Sequence, residues 1–272
     1  MKAAAAVVCE RRLVLTQLAG AAAAALGAAI APSSVWAQAL APLPAVIAGL
    51  KASVVPVGTF SATDSPRFTF RGSGFVVGDG SLVATNFHVL PATTDFELGQ
   101  SLAVMVPRNA EAGVARRARV VASDRLTDLA LLKIEGTPLP AVSLADPASA
   151  REGQSIGLMG FPIGGQLGFS PVTHRGIIAS ITSVAVPAST AQQLDPRAVM
   201  RLREGNFEVF QLDATAYPGN SGGPVFDADS GRVLAIVNMV LVKGSRESAL
   251  TNPSGISYAI PVRHLIELMK GR

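Results

Sequence analysis

Only one of the 272 residues is a cysteine, Cys9. That scarcity excludes a disulfide framework and a thiolate metal site. Histidine is almost as rare: His88, His174 and His264 lie far apart, none at metal-ligand spacing from another, so neither a metal nor any other cofactor is expected. Charge of either sign is sparse at 15% of residues, with 23 Lys and Arg against 19 Asp and Glu. The densest basic cluster, Arg116, Arg117 and Arg119, alternates along a strand pattern and reads as a solvated face, so no nucleic-acid partner is expected. No internal repeat or low-complexity linker interrupts residues 38–272. Strands and helices do not alternate, which speaks against a parallel sheet and against the strand–turn–helix elbow of an esterase nucleophile.

One apolar run is long, from Leu13 to Ala31. It follows Lys2, Arg11 and Arg12, and it leads through Pro32-Ser33-Ser34 to the small-x-small pattern Val35-Trp36-Ala37. These are the parts of a secretory signal cleaved after Ala37. The run approaches the ~20 residues that span a bilayer, but its Ala-rich core and cleavage pattern favour removal, so no stable membrane anchor is expected. Arg11-Arg12 before Leu13-Val14-Leu15 resembles a twin-arginine signal; the general secretory route is the alternative, because Glu10 stands where Ser or Thr is usual. Residues 1–37 are therefore read as a signal peptide and residues 38–272 as the mature domain, periplasmic or secreted. Cleavage removes Cys9, three basic residues and Glu10, leaving 20 Lys and Arg against 18 Asp and Glu. Core burial must then hold the mature chain, which is long enough for one large β domain or two small barrels.

From Phe68 onward short strands are cut by Gly, Pro and Asp. Phe68 to Val77 turns at Gly78-Asp79-Gly80 into Ser81 to Thr85, a hairpin pattern. Further strands are expected over 102–106, 118–122, 129–134, 156–161, 176–184, 207–213, 233–239 and 256–260. Many short strands with turn signals between them indicate an all-β barrel or sandwich. Asp195-Pro196 opens a short helix expected over 197–203. In the last stretch Val262, Leu265, Ile266 and Met269 fall on one helical face.

The stretch Tyr217-Pro218-Gly219-Asn220-Ser221-Gly222-Gly223-Pro224 wraps a serine in glycines. A serine hydroxyl is a weak nucleophile at neutral pH and needs a base beside it and N–H donors for the oxyanion. Gly219 lets the backbone turn sharply enough to bring its N–H and that of Ser221 to one point. Taken alone, the same residues also make an ordinary turn between strands. His88 follows the hairpin in Thr85-Asn86-Phe87-His88-Val89 and is the candidate base, whereas His174 and His264 read as satisfied or solvated side chains. Asp128 opens the apolar strand Leu129 to Ile134, where a buried carboxylate must find a donor such as a histidine ring N–H. Asp124 and Asp146 compete but read as turn residues, and Asp213 remains a third competitor.

Together these motifs, Thr-Asn-x-His-Val at 85–89, Asp-Leu-Ala-Leu-Leu-Lys-Ile at 128–134, Gly-Asn-Ser-Gly-Gly-Pro at 219–224 and Gly-Ile-Ser-Tyr-Ala-Ile-Pro at 255–261, resemble the trypsin-like domain of the HtrA/Deg serine proteases. The resemblance runs from about Phe68 to Pro261. It implies two six-stranded antiparallel β-barrels with a C-terminal helix and a catalytic triad in the cleft between the barrels. Under it, His88 is the general base, Asp128 orients the ring and Ser221 attacks the carbonyl. The oxyanion hole would be the segment Gly219, Asn220 and Ser221, with the N–H groups of Gly219 and Ser221 as donors. The specificity pocket would be lined by Ile236, Val237, Asn238 and Ile256. Family members usually continue into PDZ domains, whereas this chain ends at Arg272 after a single helix, so a protease domain alone is expected. His174-Arg175 stands where the family has small residues, and the connection from Lys243 to Ser254 is long and polar.

The expected function is an exported endopeptidase acting on unfolded or partly folded polypeptides, cleaving after small aliphatic residues. A catalytically idle protease-fold peptide binder is the alternative, and a homo-oligomer is left open. The pocket residues offer no carboxylate for Lys or Arg unless Asp213 turns into the site.

Overall fold

A computed structural model of the protein describes residues 42–91, 99–108, 111–162, 168–183, 207–238 and 255–271. The signal over 1–37, the helix over 197–203 and the connection 243–254 fall outside the described residues. The elements in chain order are α1 (Leu43–Leu50), β1 (Val54–Phe60), β2 (Phe68–Val77), β3 (Leu82–Asn86), β4 (Ser101–Arg108), β5 (Glu111–Asp124) and β6 (Leu129–Ile134). These are followed by β7 (Ser155–Gly160), β8 (Val172–Ser183), β9 (Glu208–Asp213), β10 (Pro224–Asp227), β11 (Val233–Val237), β12 (Ile256–Pro261) and α2 (Val262–Lys270).

Every strand-to-strand pairing among the described residues is antiparallel, and the strands close into two six-stranded barrels. The first runs β1-β2-β3-β6-β5-β4 and the second β10-β11-β12-β9-β8-β7. Closure removes the unpaired edges that an open sheet would expose. The period-2 geometry of a strand explains the core. In the first barrel Val55, Val57, Val76, Val83, Leu132 and Ile134 point inward, while their neighbours Val54, Phe75, Val77, Leu82, Ala84 and Leu131 point outward. The outward set does not reach water. It packs with Met159, Phe161, Phe226, Ile236 and Ile260 of the second barrel and with Val46, Leu50 and Leu265 of the two helices. Strands buried on both faces read as continuous apolar runs, as in Leu129 to Leu132, all 0% exposed.

That double burial also explains two omissions. β1 begins Val54-Val55-Pro56-Val57 with no polar alternation, and its proline argues against a strand in sequence. Pro56 nevertheless fits, because pairing with β4 starts only at Val57, so no ladder bond to that neighbour is lost. β10 is only four residues long, with Val225 in the second barrel and Phe226 in the core between the barrels. The other strands lie within a few residues of expectation; β5 (Glu111–Asp124) and β8 (Val172–Ser183) run longer, and β11 ends at Val237. In α2 three of the four residues on the expected face dock: Val262 and Leu265 are buried and Met269 packs against the core, joined by Leu268, while Ile266 is half-buried.

Candidate active site

The turn between β5 and β6 ends at Asp128, whose φ of 55° makes it the only non-glycine residue with left-handed backbone among the described residues. Such a conformation costs a residue with a Cβ ~1–3 kcal/mol and persists only where surrounding contacts over-determine it. Here they do. The Asp128 carbonyl accepts the Phe87 N–H at 3.0 Å and the Asn86 side-chain N–H at 3.1 Å. The Asp128 carboxylate accepts the His88 backbone N–H on Oδ1 at 2.9 Å, and its Oδ2 lies 2.6 Å from His88 Nδ1.

His88 sits in a single 3₁₀ turn, Phe87–Val89, directly after β3. β3 pairs with β6 through Asn86↔Leu129, which sets the histidine turn beside Asp128. An ionised carboxylate can only accept, so Nδ1 carries the ring proton and Nε2 of the neutral ring keeps a lone pair. The ring is about a quarter exposed and the carboxylate less, at 27% and 14%. The pair thus stands at a surface, with the basic nitrogen available. Arg125 covers one face of Phe87 at 4.9 Å from the ring centroid.

Ser221 is brought to the same place by two strand ends. Gly222 N–H donates to the Val237 carbonyl at 3.0 Å, and Val237 N–H donates to the Gly223 carbonyl at 2.9 Å, tying the serine segment to the end of β11. The next residue, Asn238, donates from Nδ2 to Asp128 Oδ2 at 2.9 Å. On the other side, β2 extends beyond its last β3 partner pair, Phe75↔Ala84, and its Ser73 N–H donates to the Ser221 carbonyl at 2.8 Å. Gly222 makes the approach possible: its φ is 85°, and a Cβ there would run into Ser73 O and Thr85 Oγ1.

Before the serine, Asn220 N–H donates to Tyr217 O at 2.9 Å with Gly219 at φ 104°. Pro at the second position and glycine with positive φ at the third are the residues a type II turn requires. The Asn220 N–H closes that turn, and the expected oxyanion donors remain the N–H groups of Gly219 and Ser221. The Asn220 side chain is fully buried, and neither its oxygen nor its nitrogen has a hydrogen-bond partner among the described residues.

The pocket residues divide. Ile236 and Val237 are 0% exposed, and alternation along the doubly buried strand sends Ile236 into the core between the barrels and Val237 into the core of the second barrel. Asn238 is turned onto Asp128 instead. Ile256 is 46% exposed at the start of β12. Asp213, the last residue of β9, is exposed between Ile177 and Ile256, its pairing partners on either side.

The other two histidines are remote in role. His174, on β8, packs its ring on Tyr217 at 5.6 Å, and burial lowers its pKa from the ordinary value. His264, on α2, is held below the ordinary value by burial and by Arg263, against opposing effects of Glu267, Asp124 and Glu208. Two polar residues of the site, Asn86 and Ser73, have no role in the sequence reading, and Asn238 enters it only as a pocket residue and not as a partner of Asp128. For Ser73 a signal exists, since Gly72-Ser73-Gly74 is a second serine between glycines.

Residues 72–236 match the sequence model of the trypsin-like peptidase domain. A probable periplasmic serine endoprotease DegP-like of Rickettsia prowazekii (strain Madrid E) is 30% identical over 220 residues, covering 79% of this chain and 36% of that protein. The serine protease Do-like HtrA of Lactococcus lactis subsp. lactis (strain IL1403) is 30% identical over 216 residues, 78% of this chain and 47% of that one. The mitochondrial serine protease HTRA2 of Bos taurus is 33% identical over 200 residues, 73% and 35% respectively. This chain thus spans between a third and a half of the length of these relatives. A solved structure, HtrA-type protease AlgW with decapeptide, superposes with a TM-score of 0.59 at 22% identity, covering 85% of this chain and 67% of that one, a likeness of fold.

Proposed function

The chain belongs to the trypsin-like peptidase domain family and is HtrA-like within it, and from that premise we propose that it is a serine endopeptidase that hydrolyses peptide bonds in unfolded or partly folded polypeptides. The observation that carries this reading is the 2.6 Å contact between His88 Nδ1 and Asp128 Oδ2, with Asn238 and the Ser221 segment joined to the same end of β11.

In the proposed reaction His88 Nε2 takes the proton of Ser221 Oγ as that oxygen attacks the substrate carbonyl. Asp128 stabilises the resulting imidazolium, and the N–H groups of Gly219 and Ser221 receive the oxyanion, each donor contributing about 3–4 kcal/mol. The imidazolium then gives its proton to the departing amine, breaking the peptide bond and leaving an acyl ester on Ser221. Water, deprotonated by His88, repeats the cycle and frees the acid.

The side chain before the scissile bond is proposed to be small and aliphatic, because Ile256 narrows the site and Asp213 is held at the end of β9 between two isoleucines. Discrimination of one methylene amounts to ~1–3 kcal/mol, so the preference is broad. The signal-like pattern of residues 1–37 and the likeness to a probable periplasmic endoprotease support export to the periplasm. A labelled fluorophosphonate decides the central point. Labelling of the wild type at Ser221 and none in Ser221→Ala is expected; a folded wild type that takes no label and leaves casein intact overturns the reading.

A further inference from the structure

Ser73 belongs to the first barrel, yet it touches both residues that flank Asn220 in the second. Its hydroxyl lies 2.6 Å from the Gly219 carbonyl, and its backbone N–H donates to the Ser221 carbonyl at 2.8 Å. The hydroxyl also accepts the Phe161 N–H at 3.0 Å. These bonds are polarised in one sense only. The Phe161 N–H can only donate, so the hydroxyl proton is committed to the Gly219 carbonyl. The residue is 0% exposed, so no water competes. Its own carbonyl is fixed in turn by Thr85 Oγ1 at 2.8 Å, on the strand that leads to His88.

We infer that Ser73 is a positioning residue for the oxyanion hole: its side chain and its backbone hold the Gly219 and Ser221 carbonyls and thereby fix the spacing of the two N–H donors. The inference rests on the serine-protease reading given above. Gly219 alone is conformationally permissive at φ 104°, and a turn of this kind is kept in one arrangement only by its neighbours. The Asn220 N–H on Tyr217 O fixes one end of the Gly219–Asn220 peptide, and the Ser73 hydroxyl fixes its carbonyl. Without the hydroxyl, the Ser221 segment keeps its bond to the Ser73 backbone while the Gly219 carbonyl loses its hydrogen bond to β2. The two donors then move relative to each other. A displacement of order 1 Å at a reacting centre costs roughly 10²-fold in rate, and a hole presented only to the transition state leaves ground-state binding alone.

The test uses the full chain, with wild type, Ser73→Ala and Ser73→Cys compared on a peptide substrate and against a tripeptide boronic acid ending in Val. That probe forms a tetrahedral adduct with the serine and occupies the oxyanion site. For Ser73→Ala the expected result is a fall in kcat of roughly 10- to 100-fold. KM should stay within about two-fold, and the boronate inhibition constant should weaken by the same factor as kcat. Ser73→Cys, nearly isosteric with a weaker donor, should fall between the two and carries the test if the alanine variant does not fold. A Ser73→Ala enzyme with full kcat, or one whose losses lie in KM with boronate affinity intact, overturns the inference while leaving the protease reading standing. A wild type that neither cleaves peptide nor takes the fluorophosphonate overturns both.

Discussion

Asp128 concentrates the chemistry of the site in one residue. Its backbone is left-handed, its carbonyl takes two donors and its carboxylate takes three: the His88 N–H, His88 Nδ1–H and Asn238 Nδ2. Asp128→Asn keeps the shape but brings an amide N–H where only acceptors serve, so the imidazole is turned toward the tautomer with Nε2 protonated. By analogy with other triads, kcat should drop by about 10³–10⁴-fold, read from steady-state kinetics with circular dichroism showing an unchanged fold. Combining Asp128→Asn with Ser221→Ala should cost little beyond Ser221→Ala alone, because the members act as one unit; multiplicative losses would count against the assignment. Gly219→Ala tests the turn: a Cβ there meets the Phe161 carbonyl and Phe70 at a φ unsuited to alanine. Loss of most activity is expected, with His88 and Asp128 undisturbed.

At the scale of elements, the site is made where strands outrun their partners. β2 runs on past its last β3 partner pair and offers Ser73 to the serine segment, and just beyond the end of β11 the Asn238 side chain reaches Asp128 while its backbone N–H donates to the Tyr258 carbonyl of β12. The end of β7 is equally constrained. A Cβ on Gly160 would lie 2.8 Å from both Asn220 Oδ1 and Ser73 Oγ. Gly160→Ala is therefore expected to lower activity by displacing the turn more than it lowers stability. Equal stability and equal activity to wild type would show that the contact yields freely. Helix α2 behaves as packing rather than as part of the chemistry: Leu265 is 0% exposed in the core shared by the barrels. Leu265→Ala should cost ~2–5 kcal/mol of stability, seen as a lower urea midpoint, with kcat unchanged in the folded fraction.

The whole molecule joins two closed barrels through a common core, and its stability should depend on pH through two histidines that the chemistry does not use. Burial lowers the pKa of His174, and burial with Arg263 lowers that of His264, whose other charged neighbours are Glu267, Asp124 and Glu208. The unfolded chain binds these protons near the ordinary ~6.5 while the folded chain resists them. Stability contributed by the neutral rings is therefore complete above that value and is lost as pH falls from it toward the lower folded values. Urea midpoints should decline on acidification below about 6.5, and His264→Gln should flatten that decline. A decline of identical slope in the variant would assign it elsewhere. Activity should also fall on the acid side, because a protonated His88 cannot take the serine proton.

Cleavage preference belongs to this scale as well, since Ile256 and Asp213 meet only through the pairing of β12 with β9. Mapping cut sites in a denatured protein by mass spectrometry should show small aliphatic residues before the scissile bond. Predominant cuts after Lys or Arg would reassign the pocket to Asp213.

The sequence alone determined what depends on residue type at short range: the strand periods, the hairpin after Phe68, the amphipathic face of α2, and the motifs that hold the serine, histidine and aspartate of the proposed mechanism. Closure into two six-stranded barrels entered through the resemblance those motifs carry. Tertiary structure decided what depends on pairing across 40 to 146 residues of chain separation. β1 and β10 escaped notice because burial on both faces erases the polar alternation that marks a strand. The opposite faces taken by Ile236 and Val237 were likewise set by the fold, because sequence cannot say which way a doubly buried strand points its side chains. Ser73 and Asn238 gained their roles only when a first-barrel strand end and a second-barrel strand end met at Asp128 and Ser221, since a hydrogen bond is specified by position in space and leaves no period in the chain.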